Sequence, residues 1–251
     1  MQALSLLGIS SFKKSLLIMP LVALLSACGS DNDDIKVDPN TKMIYVNFNE
    51  GITGWKSGFA DYPVGEEKFY ELAAGQSVLP EGLENNRKGF KVSGNNHSDD
   101  LYMFITKKFE GLEPNTIYYF QFKTTFATNA QKGCMGVGGA PGESVTIKAG
   151  ASKTEPLAVN NGAGTYLMNI DKGNQVNGGS DAIAIGDFAN SRECGDANTG
   201  YMKKVLISEK HSFSAPTNEE GSIWILLSTD SGFEATTTIY FMEAEVAATK
   251  R

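Results

Sequence analysis

Helical patterning is what this 251-residue sequence most lacks. Apart from one weak candidate at residues 66–74, no stretch of a dozen residues repeats its apolar side chains every 3.6 positions, which argues against a helical bundle. Basic runs are missing as well. The longest in the body of the chain are the pairs Lys107-Lys108 and Lys203-Lys204, and the formal charge is −7. A nucleic-acid partner, which needs a basic face, is excluded on those grounds. Histidine occurs twice, at His97 and His211, and no C-x-x-C pairing is present. A zinc site would want more of both, and His211 falls in what reads as a strand. No Pro-rich linker, internal repeat or shift of composition divides residues 43–250, so a single domain is expected there.

Strand signals fill the gap. In IYYFQFKTTFAT (117–128), Tyr118, Phe120, Phe122, Thr124 and Phe126 fall on one face, with Gln121, Lys123 and Thr125 on the other. That period of two is the mark of a half-buried sandwich strand. Further strands are expected at 43–48, 90–93, 101–109, 144–149, 182–186, 203–208, 223–228 and 236–246. The run IWILL within 223–228 is apolar on both faces, which places it in the middle of a sheet. Moderate apolar runs separated by Gly, Asn, Asp and Pro, with 27 Gly in all, give an all-β fold: a single-domain, jelly-roll-like β-sandwich of antiparallel strands.

The N-terminus has a different texture. Lys13-Lys14 precede the apolar run SLLIMPLVALL (15–25), which Pro20 interrupts and which is short for a membrane span. It closes on Leu25-Ser26-Ala27-Cys28, and this resembles a bacterial lipobox. The resemblance implies a lipoprotein signal peptide over residues 1–27, acylation of Cys28 and loss of Lys13 and Lys14, which takes the formal charge from −7 to −9. Several acyl chains, at about 0.8 kcal/mol per buried CH₂, make a stable anchor. Gly29, rather than Asp, after the cysteine points by resemblance to the outer membrane. Residues 28–42 are polar and acidic and read as a flexible tether, leaving 43–251 for the sandwich. Of the two cysteines left, Cys134 and Cys194 are expected to form a disulfide in that oxidising compartment, closing a loop worth roughly 4 kcal/mol.

NFNEGITGWKSGFADYP, GLEPNTIYYFQF and TTTIYFMEAEV look like the jelly-roll modules of secreted bacterial proteins, a superfamily that includes carbohydrate-binding modules. Leu112, Pro114, Thr116 and Tyr118 fill the "Leu-x-Pro-x-Thr-x-Tyr" entry to a long strand. SGNNHSDDLYMF, GGAPGESVTIKAGA and TDSGFE resemble a family of uncharacterised bacterial secreted proteins and lipoproteins. These likenesses imply fold and address, and carry no assigned chemistry.

Candidate site residues come from the polar connections. GCMGVGGAPGES has no Gly-Lys-Ser/Thr and no following helix, so it is not a phosphate loop. SGNNHSDD offers Asn95, Asn96, His97, Asp99 and Asp100, oxygen-rich enough for a structural Ca²⁺ but without the EF-hand register; the alternative is a polar turn bonded to its own backbone. No other cofactor is expected. Asp230 and Glu234 in TDSGFE, with Asp171 and Asp181 elsewhere, add carboxylates that would gather at one end of a sandwich. Trp55, Phe59, Asp61 and Tyr62 in GWKSGFADYP supply aromatic faces and a carboxylate suited to a sugar, or else a plug for the sandwich end. No Gly-x-Ser-x-Gly elbow supports a serine hydrolase. The expected function is a lipid-anchored, non-catalytic envelope protein binding a glycan or other polymer. A glycan hydrolase using two of Asp99, Asp100, Asp230 and Glu234 is the first alternative, and an assembly lipoprotein with a protein partner the second.

Overall fold

The computed structural model describes residues 34–35 and 38–251, and within them the alternating stretch becomes strand β7 (Ile117–Thr128), with Phe120, Phe122 and Phe126 buried. It lies in a seven-stranded sheet ordered β12 (Met202–Ile207), β7, β15 (Thr236–Lys250), β5 (Lys88–Asn95), β4 (Ala73–Val78). β1 (Thr41–Asn47) extends the far half of β15, and β13 (Phe213–Pro216) the near half of β7. The facing sheet runs β11 (Ala182–Asp187), β8 (Val145–Ser152), β14 (Ile223–Ser231), β6 (Leu101–Phe109), β2 (Lys56–Ala60). The strand pairs are all antiparallel, and the fold is an all-β, jelly-roll-like sandwich. β14 does occupy the centre of its sheet, as its two apolar faces required.

Facing rows of Leu101, Met103 and Ile105 from β6, Ile225 and Leu227 from β14, and Phe120 and Phe122 from β7 build the core. β15 shows how one long strand stays in register with it. Ile239 and Phe241 point inward, the pairing slips by one residue at Met242, and Ala244, Val246 and Ala248 then point inward. Without that bulge the second half of the strand would turn its apolar set outward.

The five-stranded sheet is covered on both faces. A small sheet of β3 (Tyr62–Pro63), β10 (Thr165–Met168) and β9 (Ala158–Asn160) lies over its outer side. There Ala158, Met168 and Ile170 pack on Tyr102, Phe104, Ala182 and Leu226. This second layer makes buried positions of residues that strand alternation assigns to solvent.

The weak helical candidate at residues 66–74 does not form a helix. The Tyr70 N–H donates to the Glu66 carbonyl at 2.9 Å for a single turn. Glu71 then takes φ +51°, and β4 begins at Ala73. Tyr70 alone in that stretch is buried, so no apolar stripe exists to propagate a helix. His211 is likewise not in a strand: it sits in the turn between β12 and β13 with φ +63°. Cys134 and Cys194 form the disulfide, across a sequence separation of 60 residues. Cys28 and the signal segment lie outside the described residues.

Candidate functional site

Four connections meet at one end of the sandwich: the β5–β6, β7–β8, β10–β11 and β14–β15 segments. Asn96, 2% exposed, is the joint between two of them. Its Nδ2 donates to the carbonyls of Ser231 (2.9 Å) and Phe233 (3.0 Å), and its Oδ1 accepts from the Ser98 N–H (3.1 Å). The glycine-rich segment closes over this joint. Gly138 has φ +70°, and a Cβ there would stand 2.5 Å from the Gly232 carbonyl and 3.0 Å from Asp99 Oδ1. Only glycine fits that approach. Glu234, whose Cγ would stand 2.8 Å from the same Cβ, donates its N–H to the Val137 carbonyl at 2.9 Å. Gln175 Nε2 donates to the Asp99 carbonyl at 2.7 Å, bringing in the β10–β11 segment. Asp171 stays inside that segment: its carboxylate accepts from the N–H groups of Ser180 and Gly173, which hold it below the usual carboxylate range. Asp181 accepts from the Asp171 N–H at 3.0 Å.

Beneath these loops, on the outer face of the five-stranded sheet, lies a buried ionic cluster. Asp61 enters from the end of β2 with φ +64°, Asp100 from the residue before β6, Asp230 from β14 and Lys148 from β8. Lys172 descends from the segment after β10. Lys148 and Asp230 are completely buried, with Nζ to Oδ2 at 2.8 Å. Lys148 spends its other two donors on the carbonyls of Lys172 and Asn177, both at 2.9 Å, so the ammonium is fully satisfied. Lys172 Nζ stands 2.9 Å from both Asp230 Oδ2 and Asp61 Oδ2 and 4.8 Å above the Tyr102 ring. Burial opposes the Lys172 charge, but Asp230 and Asp61 hold it above the ordinary lysine value; burial pulls Lys148 below.

Three carboxylates face two ammonium groups, which leaves one negative charge in a largely buried site, where unpaired charge is costly. One oxygen from each of Asp61, Asp100 and Asp230 lies within 4.8 Å of the others, close enough to share a cation. A proton meets the deficit with less. Oδ1 of Asp100 and Oδ1 of Asp230 are buried without partners. Burial, then the charges of Asp61 and Asp230, push the Asp100 carboxyl up to about 7. Burial also raises Asp61. A proton shared between Asp100 and Asp230 would balance the charge and partner both orphaned oxygens.

The other sequence candidates lie apart. His97 turns away from the cluster, its Nε2 at 3.1 Å from the Phe69 carbonyl and its ring stacked 4.0 Å from Phe69. Asn95 reaches Glu71 at 3.4 Å. Tyr62, 5% exposed, is packed between Tyr70 and Tyr166, and Phe59 packs against the main core. Trp55 sits beside Phe109, at the other end of β6 from Asp100, so some 30 Å of strand separates it from the cluster. Its ring meets Phe48 at 5.0 Å and Phe109 at 6.1 Å edge-on. Its remaining surface lines a groove of about 220 Å³ with Tyr45, Asn47, Glu50 and Lys107. Tyr45, absent from the sequence candidates, is 70% exposed.

No protein-family model matches the sequence, and no curated protein matches it. Among solved structures the chain is similar to a carbohydrate-binding module, TmCBM61, in complex with β-1,4-galactotriose, at 9% identity, covering 80% of this chain and 92% of that one with a TM-score of 0.35. It is similar to the family 11 carbohydrate-binding module of the cellulosomal cellulase Lic26A-Cel5E of Clostridium thermocellum, at 9% identity, 84% and 95% coverage and a TM-score of 0.37. It also matches the enzymatically active domain of bacteriophage CBA120 tailspike protein 4 at 12% identity and a TM-score of 0.35, with 78% of this chain spanning 20% of that one. Binding chemistry is therefore read from the chain's own residues.

Proposed function

We propose that this chain is a non-catalytic glycan-binding protein of the cell envelope, held at the outer membrane through acylated Cys28. The observation that carries the binding role is the groove in which exposed Tyr45 stands beside Trp55, with Asn47, Glu50 and Lys107 on its walls. Aromatic faces take the apolar side of a sugar ring, and amide, carboxylate and ammonium groups take its hydroxyls. Of the carboxylates nominated for hydrolysis, Asp230 supports binding over catalysis. It is wholly buried and engaged by two lysines, so it cannot touch a substrate. The membrane address rests on the lipobox resemblance.

A glycan array followed by calorimetric titration of its best binder tests the reading. Tyr45→Ala, a change at an exposed side chain, is expected to weaken that binding about ten-fold without lowering the melting temperature. An array without binders, or unchanged affinity in Tyr45→Ala and in Trp55→Phe, would overturn it. Labelling with radioactive palmitate, lost in Cys28→Ala, tests the anchor.

A further inference from the structure

A second recess, of about 360 Å³, opens between the two sheets at the loop-bearing end of the sandwich. Phe188 lies at its base, 2% exposed and stacked on Phe126. Phe233 forms one wall and the Cys134 end of the disulfide another. Asn129, Thr199 and Thr236 are exposed along it. Its lining contains no charged side chain among the described residues, although charged residues make up 20% of the chain.

Thr237 supplies the second, independent observation. It lines the recess, is 3% exposed, and its hydroxyl has no hydrogen-bond partner in the protein. A buried hydroxyl without a partner costs free energy, and a ligand that donates to it or accepts from it recovers that cost. The walls are also held rigid. The disulfide fixes residues 131–134 against 192–196, where the Lys132 N–H donates to the Arg192 carbonyl at 2.7 Å and the Cys194 N–H to the Lys132 carbonyl at 2.8 Å. Gly136 lets the Phe233 ring approach so closely that a Cβ would stand 2.5 Å from it.

We propose that this recess is a second binding site, taking one uncharged, hydroxyl-rich ring: a single neutral hexose or the terminal unit of a neutral saccharide. The ligand class rests on the glycan reading above; the site does not share a residue with the Tyr45–Trp55 groove. Neutral hydroxyl and amide groups discriminate against ionic ligands, because charge brought into the recess finds no counter-charge. Phe233 offers the ring face, and Thr237 the buried polar contact. The volume stands near the lower end of small-molecule sites, about 300–1,000 Å³, which suits one ring rather than a chain.

Methyl β-glucoside, methyl β-galactoside and methyl α-mannoside, titrated into the oxidised, isotope-labelled protein and followed by its amide resonances, test the site. Saturable shifts at Phe233, Thr236 and Thr237 are expected with at least one of the three. Thr237→Val removes an unpartnered hydroxyl at nearly constant shape, so it should leave stability unchanged or raise it while weakening glycoside binding at least about five-fold. No saturable shift at those amides, or unchanged affinity in Thr237→Val, overturns the proposal. Shifts confined to Asn47 and Trp55 also overturn it and leave the groove reading standing. Shifts in the recess that survive Tyr45→Ala support it, even where the groove binds nothing.

Discussion

Asp230 Oδ2 lies 2.8 Å from the Lys148 ammonium on the adjacent strand, with both side chains entirely out of solvent. β8 and β14 place Lys148 opposite Ser228, so the lysine reaches diagonally to Asp230. The same ammonium holds the carbonyls of Lys172 and Asn177 and thereby pins the β10–β11 segment to the sheet. Lys148→Met should therefore destabilise the protein by about 3–5 kcal/mol, since Asp230 keeps its charge and loses a partner. Adding Asp230→Leu should recover more than half of that loss, because the uncompensated charge goes with it. Strictly additive losses in chemical denaturation would refute this account of the pair.

Asp100 gives the cluster a pH dependence of definite sign. The folded chain keeps its proton up to about pH 7, while the unfolded chain releases it near the ordinary 3.8. Across that window unfolding releases a proton, so this group's contribution to stability is fully present below about pH 4 and is lost as pH rises through the folded value. The raised carboxyl of Asp61 acts in the same direction. One such group bounds the slope at about 1.4 kcal/mol per pH unit, and solvent at the open edge of Asp100 reduces it. The melting temperature should be higher at pH 5.5 than at pH 8, and Asp100→Asn should flatten the difference. Equal melting temperatures for the native chain, or an unchanged slope in Asp100→Asn, would contradict the shared proton.

The cluster also shows where sequence reading stops. β6 and β7 are legible to the residue, β7 because its apolar side chains alternate and β6 because a continuous apolar run stands between polar turns. β9 and β10, of three and four residues, are too short to show any period. Their absence from the reading is what hides Lys148 and Lys172. A lysine on the outer face of a strand reads as solvent-facing, and only the small covering sheet makes it a buried ion. Asp61, Asp100 and Asp230 are each visible as polar residues beside strands, yet their meeting depends on β14 pairing with β6 on one side and β8 on the other. Trp55 reads correctly as aromatic at a turn, but Tyr45, its neighbour in the groove, sits in a strand where a tyrosine passes for core.

Whether the single missing positive charge is a proton or a metal ion can be measured directly. Two ammonium groups already occupy Asp230 Oδ2 and Asp61 Oδ2, and a divalent ion would bring one charge too many to this site. Melting temperatures in millimolar calcium chloride and in chelator should then agree to within about 1 °C. A calcium-dependent rise that disappears in Asp100→Asn would assign the vacancy in the charge balance to a cation.

The disulfide should matter for both stability and the recess it walls. With a sequence separation of 60 between Cys134 and Cys194, the chain-entropy model gives about 4 kcal/mol of constraint on the unfolded state, or roughly 8–16 °C in melting temperature for a domain of this size. The bridge crosses between two segments that already share backbone hydrogen bonds at Lys132, Arg192 and Cys194, so the folded chain needs no rearrangement to form it. Cys134→Ser with Cys194→Ser should melt lower by that margin and keep its far-ultraviolet spectrum, since neither cysteine lies in the sandwich core. It should also lose affinity for the methyl glycosides, because one wall of the recess is then free to move. A drop of less than about 3 °C, with alkylation confirming the bridge in the native protein, would mean that the hydrogen-bonded segments hold each other without it.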